Sequence, residues 1–201
     1  MRLILDCDGV LLNWPKGFAK FFCELRGLPL PKGEPDSFDM VGWLGRPFEE
    51  ILPAIMEFNS GQVAAFGQLE PMPGAVQAVT QLHNLGWDLR VATSMSDAHE
   101  AEALRLQNLH ADFGPVFSEV ICLPMGACKK AALSQLEAGI FVDDLGLNVR
   151  AGIEAGHRGL LMDLLHNSTE TGLDRVSGWS EILDICLNHN EPGILAGMEI
   201  N

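Results

Sequence analysis

Two aspartates separated by one residue, Asp6 and Asp8, close a short apolar run that begins at Leu3. In an extended strand residues i and i+2 point the same way, so a strand ending in Asp-x-Asp aims both carboxylates at one point. Carboxylates held that close repel each other unless a cation sits between them. Gly9 follows and lets the backbone turn sharply beside whatever is bound. Three further apolar runs carry chemistry near their ends. Leu89–Thr93 ends in Thr93-Ser94, Val116–Leu123 is followed by Lys129 and Lys130, and Gly139–Asp143 ends in Asp143-Asp144. Ligands of open α/β sheets bind beyond the carboxyl ends of the strands. Four strand ends would thus deliver acids, hydroxyls and a cation to one edge. That is the equipment of phosphoryl transfer through a metal: carboxylates hold Mg²⁺ through oxygen, and a hydroxyl and an ammonium bind phosphoryl oxygens.

The elements that must position these groups follow from periodicity. The strands are Leu3–Leu5, Leu89–Thr93, a run within Val116–Leu123, Gly139–Asp143 and Arg158–Met162. Their near-continuous apolar character suits a parallel sheet covered on both faces. Helices are expected over Ala75–Leu85 (stopped by Gly86), Ala98–Leu109 with Asp97 as N-cap, Lys129–Leu136, Leu147–Ala155 (closed by Gly156) and Ser180–Leu187. The alternation predicts an α/β domain. Residues 13–72 break it. Phe18, Phe21, Phe22 and Leu25 have helical spacing up to Gly27, Pro29, Pro31 and Pro35 mark a loop, and Phe48–Met56 reads as a helix disturbed by Pro53. No strand signal is found there, and the stretch is too long for an ordinary crossover. It predicts a small helical insertion above the carboxylate loop. The tail from His189, rich in Gly and polar residues, is expected to be loose or to dock on a neighbouring chain.

The chain has 201 residues and a formal net charge of −14. This length suits one domain with a small insertion. The negative charge argues against nucleic-acid polymers, whose phosphates demand clustered Lys and Arg. No apolar run approaches the length of a membrane span. The apolar run behind Arg2 is cut off at Asp6 and reads as a strand, not a signal peptide. The five cysteines lack paired spacing, which argues against a disulfide scaffold or a zinc ribbon and favours a reducing, cytoplasmic location. Cys7, between the two aspartates, is expected to face the core.

The residues Asp6-Cys7-Asp8-Gly9-Val10, Val91-Ala92-Thr93-Ser94, Lys129 before an Ala-rich helix, and Phe141-Val142-Asp143-Asp144-Leu145-Gly146-Leu147-Asn148, in this order, resemble the haloacid dehalogenase-like hydrolase superfamily. The resemblance covers about residues 1 to 165. It implies a three-layer, Rossmann-like parallel sheet with a small α-helical cap, divided into a core of residues 1–12 and 73–201 and a cap of residues 13–72. It also implies a phosphatase using Mg²⁺ and an aspartyl-phosphate. Asp6 would be the nucleophile, and Asp8 the general acid and then the base. The metal would be held by Asp6, the backbone carbonyl of Asp8, and Asp144, with Asp143 acting through water or from behind. Thr93 would bind a phosphoryl oxygen with help from the Ser94 backbone. Lys129, rather than Lys130, would neutralise charge on nucleophile and phosphate. Members that cleave carbon–halogen bonds lack the second aspartate, so Asp8 favours phosphate esters. The Asp-x-Asp-Gly-Val-Leu start with an aromatic residue behind it is similar to the deoxyribonucleotidase branch, although sugar and phosphoglycolate-type phosphatases share much of the pattern.

Other residues keep two readings. Trp14 would contact a substrate ring or pack within the insertion. Arg46 would meet a second anionic group or lie at the surface. Asn148 would orient the acidic pair or begin a helix. The histidines show no metal-ligand spacing. The expected partner is a small phosphorylated metabolite, a nucleotide or a sugar phosphate; the sequence leaves the oligomeric state open. A phosphotransferase or mutase, passing the phosphoryl group to an alcohol, and a non-catalytic binding protein are the alternatives.

Overall fold

The computed structural model describes residues 1–188; the tail from His189 lies outside the described residues. Six parallel strands form one sheet in the order β3-β2-β1-β4-β5-β6. They are β1 (Arg2–Leu5), β2 (Asp88–Ser94), β3 (Phe117–Leu123), β4 (Ile140–Asp143), β5 (Arg158–Met162) and β6 (Arg175–Val176). The strand order reverses at β1, whose register sets Leu5 beside Val91 of β2 and Val142 of β4. A crevice opens beyond the carboxyl ends at such a reversal.

Alternation along the strands sorts the core into two layers. Leu3, Leu5, Ile140 and Val142 join a large cluster with Ala75, Ala78, Val79, Leu82, Leu109, Trp179 and Ile182. Ile4, Ala92 and Phe141 point the other way and meet Leu133. The first face is covered by α4 (Ala75–Asn84), α5 (His99–Phe113) and α8 (Trp179–Asn188), the second by α6 (Lys130–Leu133) and α7 (Gly146–Glu154). The result is the expected three-layer α/β arrangement. Cys7 is buried in the core and all five cysteines are free.

Between β1 and α4 the described chain contains only helices: α1 (Trp14–Arg26), α2 (Val41–Leu44), α3 (Phe48–Phe58) and a 3₁₀ turn at Ala64–Gly67. Outgoing and returning segments lie side by side at the base. The Asn13 N–H donates to the Glu70 carbonyl at 2.8 Å, and the Met72 N–H to that of Leu11 at 2.8 Å. Helix α1 starts where the Asn13 side chain accepts from the Lys16 N–H and ends at Gly27 in the left-handed region. Its apolar face enters an aromatic cluster: Trp14 stacks on Phe18 at 5.0 Å, and Phe58 touches Phe18 and Phe66. That burial carries α3 through Pro53 to Phe58, two residues beyond the expected end.

Two local expectations are corrected, and one strand is added. Asp97 does not cap α5; the Ala98 N–H bonds to the Ser96 hydroxyl at 3.2 Å, and Ala98 occupies the cap position. The helix expected over Lys129–Leu136 is reduced to Lys130–Leu133 and continues as turns. Strand β6 has only two residues, too few for a period to register.

Candidate active site

Asp6 and Asp8 lie in the loop that leaves β1 after Leu5, so the i, i+2 rule of a strand does not govern them, and both reach the crevice; Asp143, the last residue of β4, and Asp144 after it stand beside Asp6. Lys129, immediately before α6, extends its ammonium between the two strand ends. Its Nζ lies 2.6 Å from Asp6 Oδ1 and 2.7 Å from Asp143 Oδ2. The other Asp143 oxygen accepts from the Leu145 N–H at 2.9 Å and from the Asn148 amide at 3.2 Å. Asn148, in the first turn of the helix Gly146–Glu154, thus holds Asp143 of the acidic pair. Lys130 points away and pairs with Glu154 at the surface.

Asp6, Asp143 and Asp144 are buried, and each offers an oxygen within 4.8 Å of the others'. Asp144 approaches closely because residue 9 is glycine: a Cβ there would overlap its carboxylate, and the φ of 82° is itself a glycine conformation. Burial raises the pKa of Asp6, helped by the charge of Asp144 and opposed by Lys129. Burial likewise pushes Asp143 up to about 7 against the pull of Lys129. Burial alone would depress Lys129, but Asp143 and Asp6 outweigh it and hold the ammonium above its ordinary value. One ammonium among three carboxylates leaves an excess of negative charge. A donor set of oxygen only, buried and under-neutralised, fits a hard divalent cation such as Mg²⁺.

Asp8 belongs to different surroundings. Its side chain stands outside the three-carboxylate group and pairs with Arg105, whose Nη2 is 2.7 Å from Oδ1 and 2.9 Å from Oδ2. Burial pushes Asp8 up to about 6 even though Arg105 opposes it. Two carboxylates from one strand end are thus differentiated, one facing an ammonium and the metal-type cluster, the other a guanidinium.

These groups open on a cavity of about 270 Å³ between the sheet edge and the helical insertion. Asp6, Asp8, Ser94, Lys129 and Asp144 line its floor, and Trp14, Pro35, Phe38 and Met40 line it from the insertion. Thr93 is buried and absent from the lining; its hydroxyl has no hydrogen-bond partner among the described residues. The Ser94 hydroxyl donates to the Ala127 carbonyl at 3.1 Å, which fixes the loop before Lys129. Trp14 packs within the insertion, where its indole N–H bonds Asn59 Oδ1 at 3.0 Å, and it also lines the cavity. Arg46 is not brought to the site; it is half-buried and forms no side-chain hydrogen bond or ion pair among the described residues.

The sequence reading missed Arg105, Phe38, Met40 and His166. His166 Nε2 lies 3.1 Å from Asp144 Oδ2, and its ring meets Phe38 at 4.1 Å. Only Arg105 had a signal. It shares the i, i+4, i+8 stripe of α5 with Ala101 and Leu109, so a charge stands where the period demands an apolar residue.

A parallel sheet with this acidic cluster at its switch point defines a class of hydrolases. The model of the haloacid dehalogenase-like hydrolases matches residues 2–156, and the chain belongs to that family. It is 32% identical over 155 residues to the mitochondrial 5'(3')-deoxyribonucleotidase of Mus musculus, a match covering 72% of this chain and 64% of that protein. The aligned part thus spans slightly less than two thirds of the relative's length. Among solved structures, a haloacid dehalogenase-like family hydrolase from Streptococcus pneumoniae superposes with a TM-score of 0.61 at 16% identity, covering 92% of this chain and 97% of that one. The D,D-heptose 1.7-bisphosphate phosphatase from B. bronchiseptica gives 0.55 at 16% identity, covering 94% and 99%. Both show a shared fold. None of the described helices is long and apolar enough to cross a membrane.

Proposed function

We propose that the protein is a Mg²⁺-dependent phosphomonoesterase acting on a small phosphorylated metabolite through an aspartyl-phosphate on Asp6. The observation that carries this reading is the division of labour at the end of β1. Asp6 sits against Lys129 in the buried acidic cluster, and Asp8 sits apart on Arg105 with its pKa pushed to about 6. A carboxylate oxygen of Asp6 attacks phosphorus as the bond to the leaving oxygen breaks. Asp8 gives that oxygen its proton, then takes one from the water that cleaves the aspartyl-phosphate, releasing phosphate and restoring Asp6. A carboxyl titrating near 6 can serve in both directions. Lys129 neutralises charge shared by Asp6 and the phosphoryl oxygens, and the Ser94 backbone binds those oxygens; the Thr93 hydroxyl, buried behind the lining and without a partner among the described residues, joins them only if the strand end shifts to expose it. Mg²⁺, held by Asp6, Asp144 and the Asp8 carbonyl with Asp143 behind them, would supply further charge neutralisation at the phosphoryl group.

Residues 13–72 serve in this reading as a cap that reads the leaving group, on a catalytic core of residues 1–12 and 73–201. The apolar Trp14, Phe38 and Met40 wall suits a flat base, and the murine relative's name is that of a deoxyribonucleotidase. A nucleoside monophosphate is therefore the first substrate to test. The experiment is phosphate release from a panel of nucleotides, sugar phosphates, phosphoglycolate and an aryl phosphate, with and without Mg²⁺, by the parent and Asp6→Asn. Mg²⁺-dependent release by the parent alone is expected. Equal turnover by Asp6→Asn, or no turnover of any ester by the parent, sinks the reading.

A further inference from the structure

Arg105 is fully buried in the middle of α5 and is absent from the cavity lining. A buried guanidinium is costly unless its five N–H groups find partners. Here only Nη2 is engaged, by Asp8; Nε and Nη1 have no hydrogen-bond partner among the described residues. The remaining support is a ring: the guanidinium carbon lies 4.5 Å from the centroid of Phe66, in the 3₁₀ turn of the helical insertion. Phe66 in turn packs edge-on against Phe58 of the aromatic cluster that contains Trp14. A leucine or methionine would fill the same space on this stripe of α5 without orphaned donors. A charge kept in such a place acts through the single group it touches.

We propose that Arg105 is the positioning residue for Asp8. Its Nη2 donates to Asp8 Oδ2 at 2.9 Å and lies 2.7 Å from Oδ1, which has no hydrogen-bond partner among the described residues, and the ion pair keeps the carboxylate outside the Asp6–Asp143–Asp144 cluster. The insertion, through Phe66, braces that pair from the far side. The inference rests on the phosphatase reading, in which Asp8 handles the leaving-group proton. It makes general-acid catalysis by Asp8 depend on a residue that never meets the substrate.

The test uses leaving-group acidity. For phosphate esters ranging from a nitrophenol to an unactivated alkyl alcohol, kcat/KM at saturating Mg²⁺ reports the first phosphoryl transfer, where only poor leaving groups need the proton. Arg105→Met is expected to lower kcat/KM roughly 10²-fold for the alkyl ester and less than about threefold for the nitrophenyl ester, the pattern of lost general-acid assistance. Arg105→Lys keeps the charge and should restore most of the loss. In an Asp8→Asn background Arg105→Met should add no further loss, because both changes disable one unit. A uniform loss across the ester series, or additive losses in the double variant, overturns the proposal and leaves Arg105 a packing residue. If Arg105→Met does not fold, Arg105→Lys carries the same test, a residual loss confined to poor leaving groups supporting the proposal and a uniform one overturning it. A parent inactive on every ester is a distinguishable result: it removes the phosphatase reading, and this inference with it.

Discussion

The acidic cluster carries a residue-scale consequence for stability. Burial raises Asp143 from 3.8 to about 7 and Asp8 from 3.8 to about 6. A carboxyl whose folded pKa exceeds its unfolded value binds protons more tightly in the folded state, so stability falls as pH rises through that window. Asp88, pulled to about 2 by Ser118, Arg2 and Arg90 against its burial, works below 3.8 and does not offset this. The metal-free protein is therefore expected to melt at a lower temperature near about pH 7.5 than near about pH 5. Mg²⁺ should raise the melting temperature more at the higher pH, where the carboxylates it would neutralise are ionised. Asp143→Asn should flatten the pH dependence. A melting temperature that is flat or rises over this range in the parent, measured with chelator present, would contradict the assignment of these shifts.

At the scale of elements, the distance between helix and strand is set by side chains that are absent. Helix α7 lies so close to β4 that a Cβ on Gly152 would overlap the Phe141 ring, one residue from Val142 and two from Asp143. Gly152→Ala should improve helix propensity yet destabilise by about 1–3 kcal/mol, because overpacking against a buried ring outweighs a gain of about 1 kcal/mol. Chemical denaturation with a phosphatase assay checks both consequences: a lower midpoint and, because β4 carries the acidic pair, lower activity. A stabilised variant would show that α7 can back away from the sheet. Spacing of this kind was not legible in the sequence, whereas the elements themselves were. Runs such as Leu89–Thr93 and Gly139–Asp143 announce strands because burial keeps them largely apolar, Arg90 being the half-buried exception, and Gly27 ends α1 where the sequence placed its stop. The Asp-x-Asp and Asp-Asp pairs were legible because chemistry demands acids at strand ends. Phe38, Met40 and His166 were not, because their meeting with the site depends on how a Pro-rich loop folds over it. Arg105 was half-legible, a charge on an apolar stripe whose partner lies 97 residues away.

On the scale of the whole molecule, topology brings the site together and net charge works against it. Placing β1 between β2 and β4 lets Asp6 meet Lys129 across 123 residues. The last described helix ties itself to the same loop, the Trp179 indole N–H donating to the Val10 carbonyl at 2.8 Å. Yet the chain proposed to bind a phosphate ester at this site carries a formal charge of −14. At and behind the floor of the cavity, the lysine and arginine side chains paired with Asp6, Asp8, Asp143 and Asp144 among the described residues are Lys129 and Arg105, with His166 beside Asp144, and Arg105 is already taken by Asp8. In the phosphatase reading a dianionic ester would therefore approach through a repulsive field and meet attraction only at the last contact, beside Lys129 and the cation proposed to bind there. Salt screens charges farther apart than about 10 Å at 0.1 M and leaves close buried pairs nearly untouched. Screening should thus weaken the repulsion more than the attraction. KM for a dianionic substrate, measured at saturating Mg²⁺ so that metal binding is not limiting, is expected to fall severalfold between about 20 mM and about 200 mM salt while kcat stays constant. An enzyme that steers its substrate with a positive funnel would show the opposite slope, and a KM that rises with salt would mean that the field at the cavity mouth is positive despite the acidity of the chain as a whole.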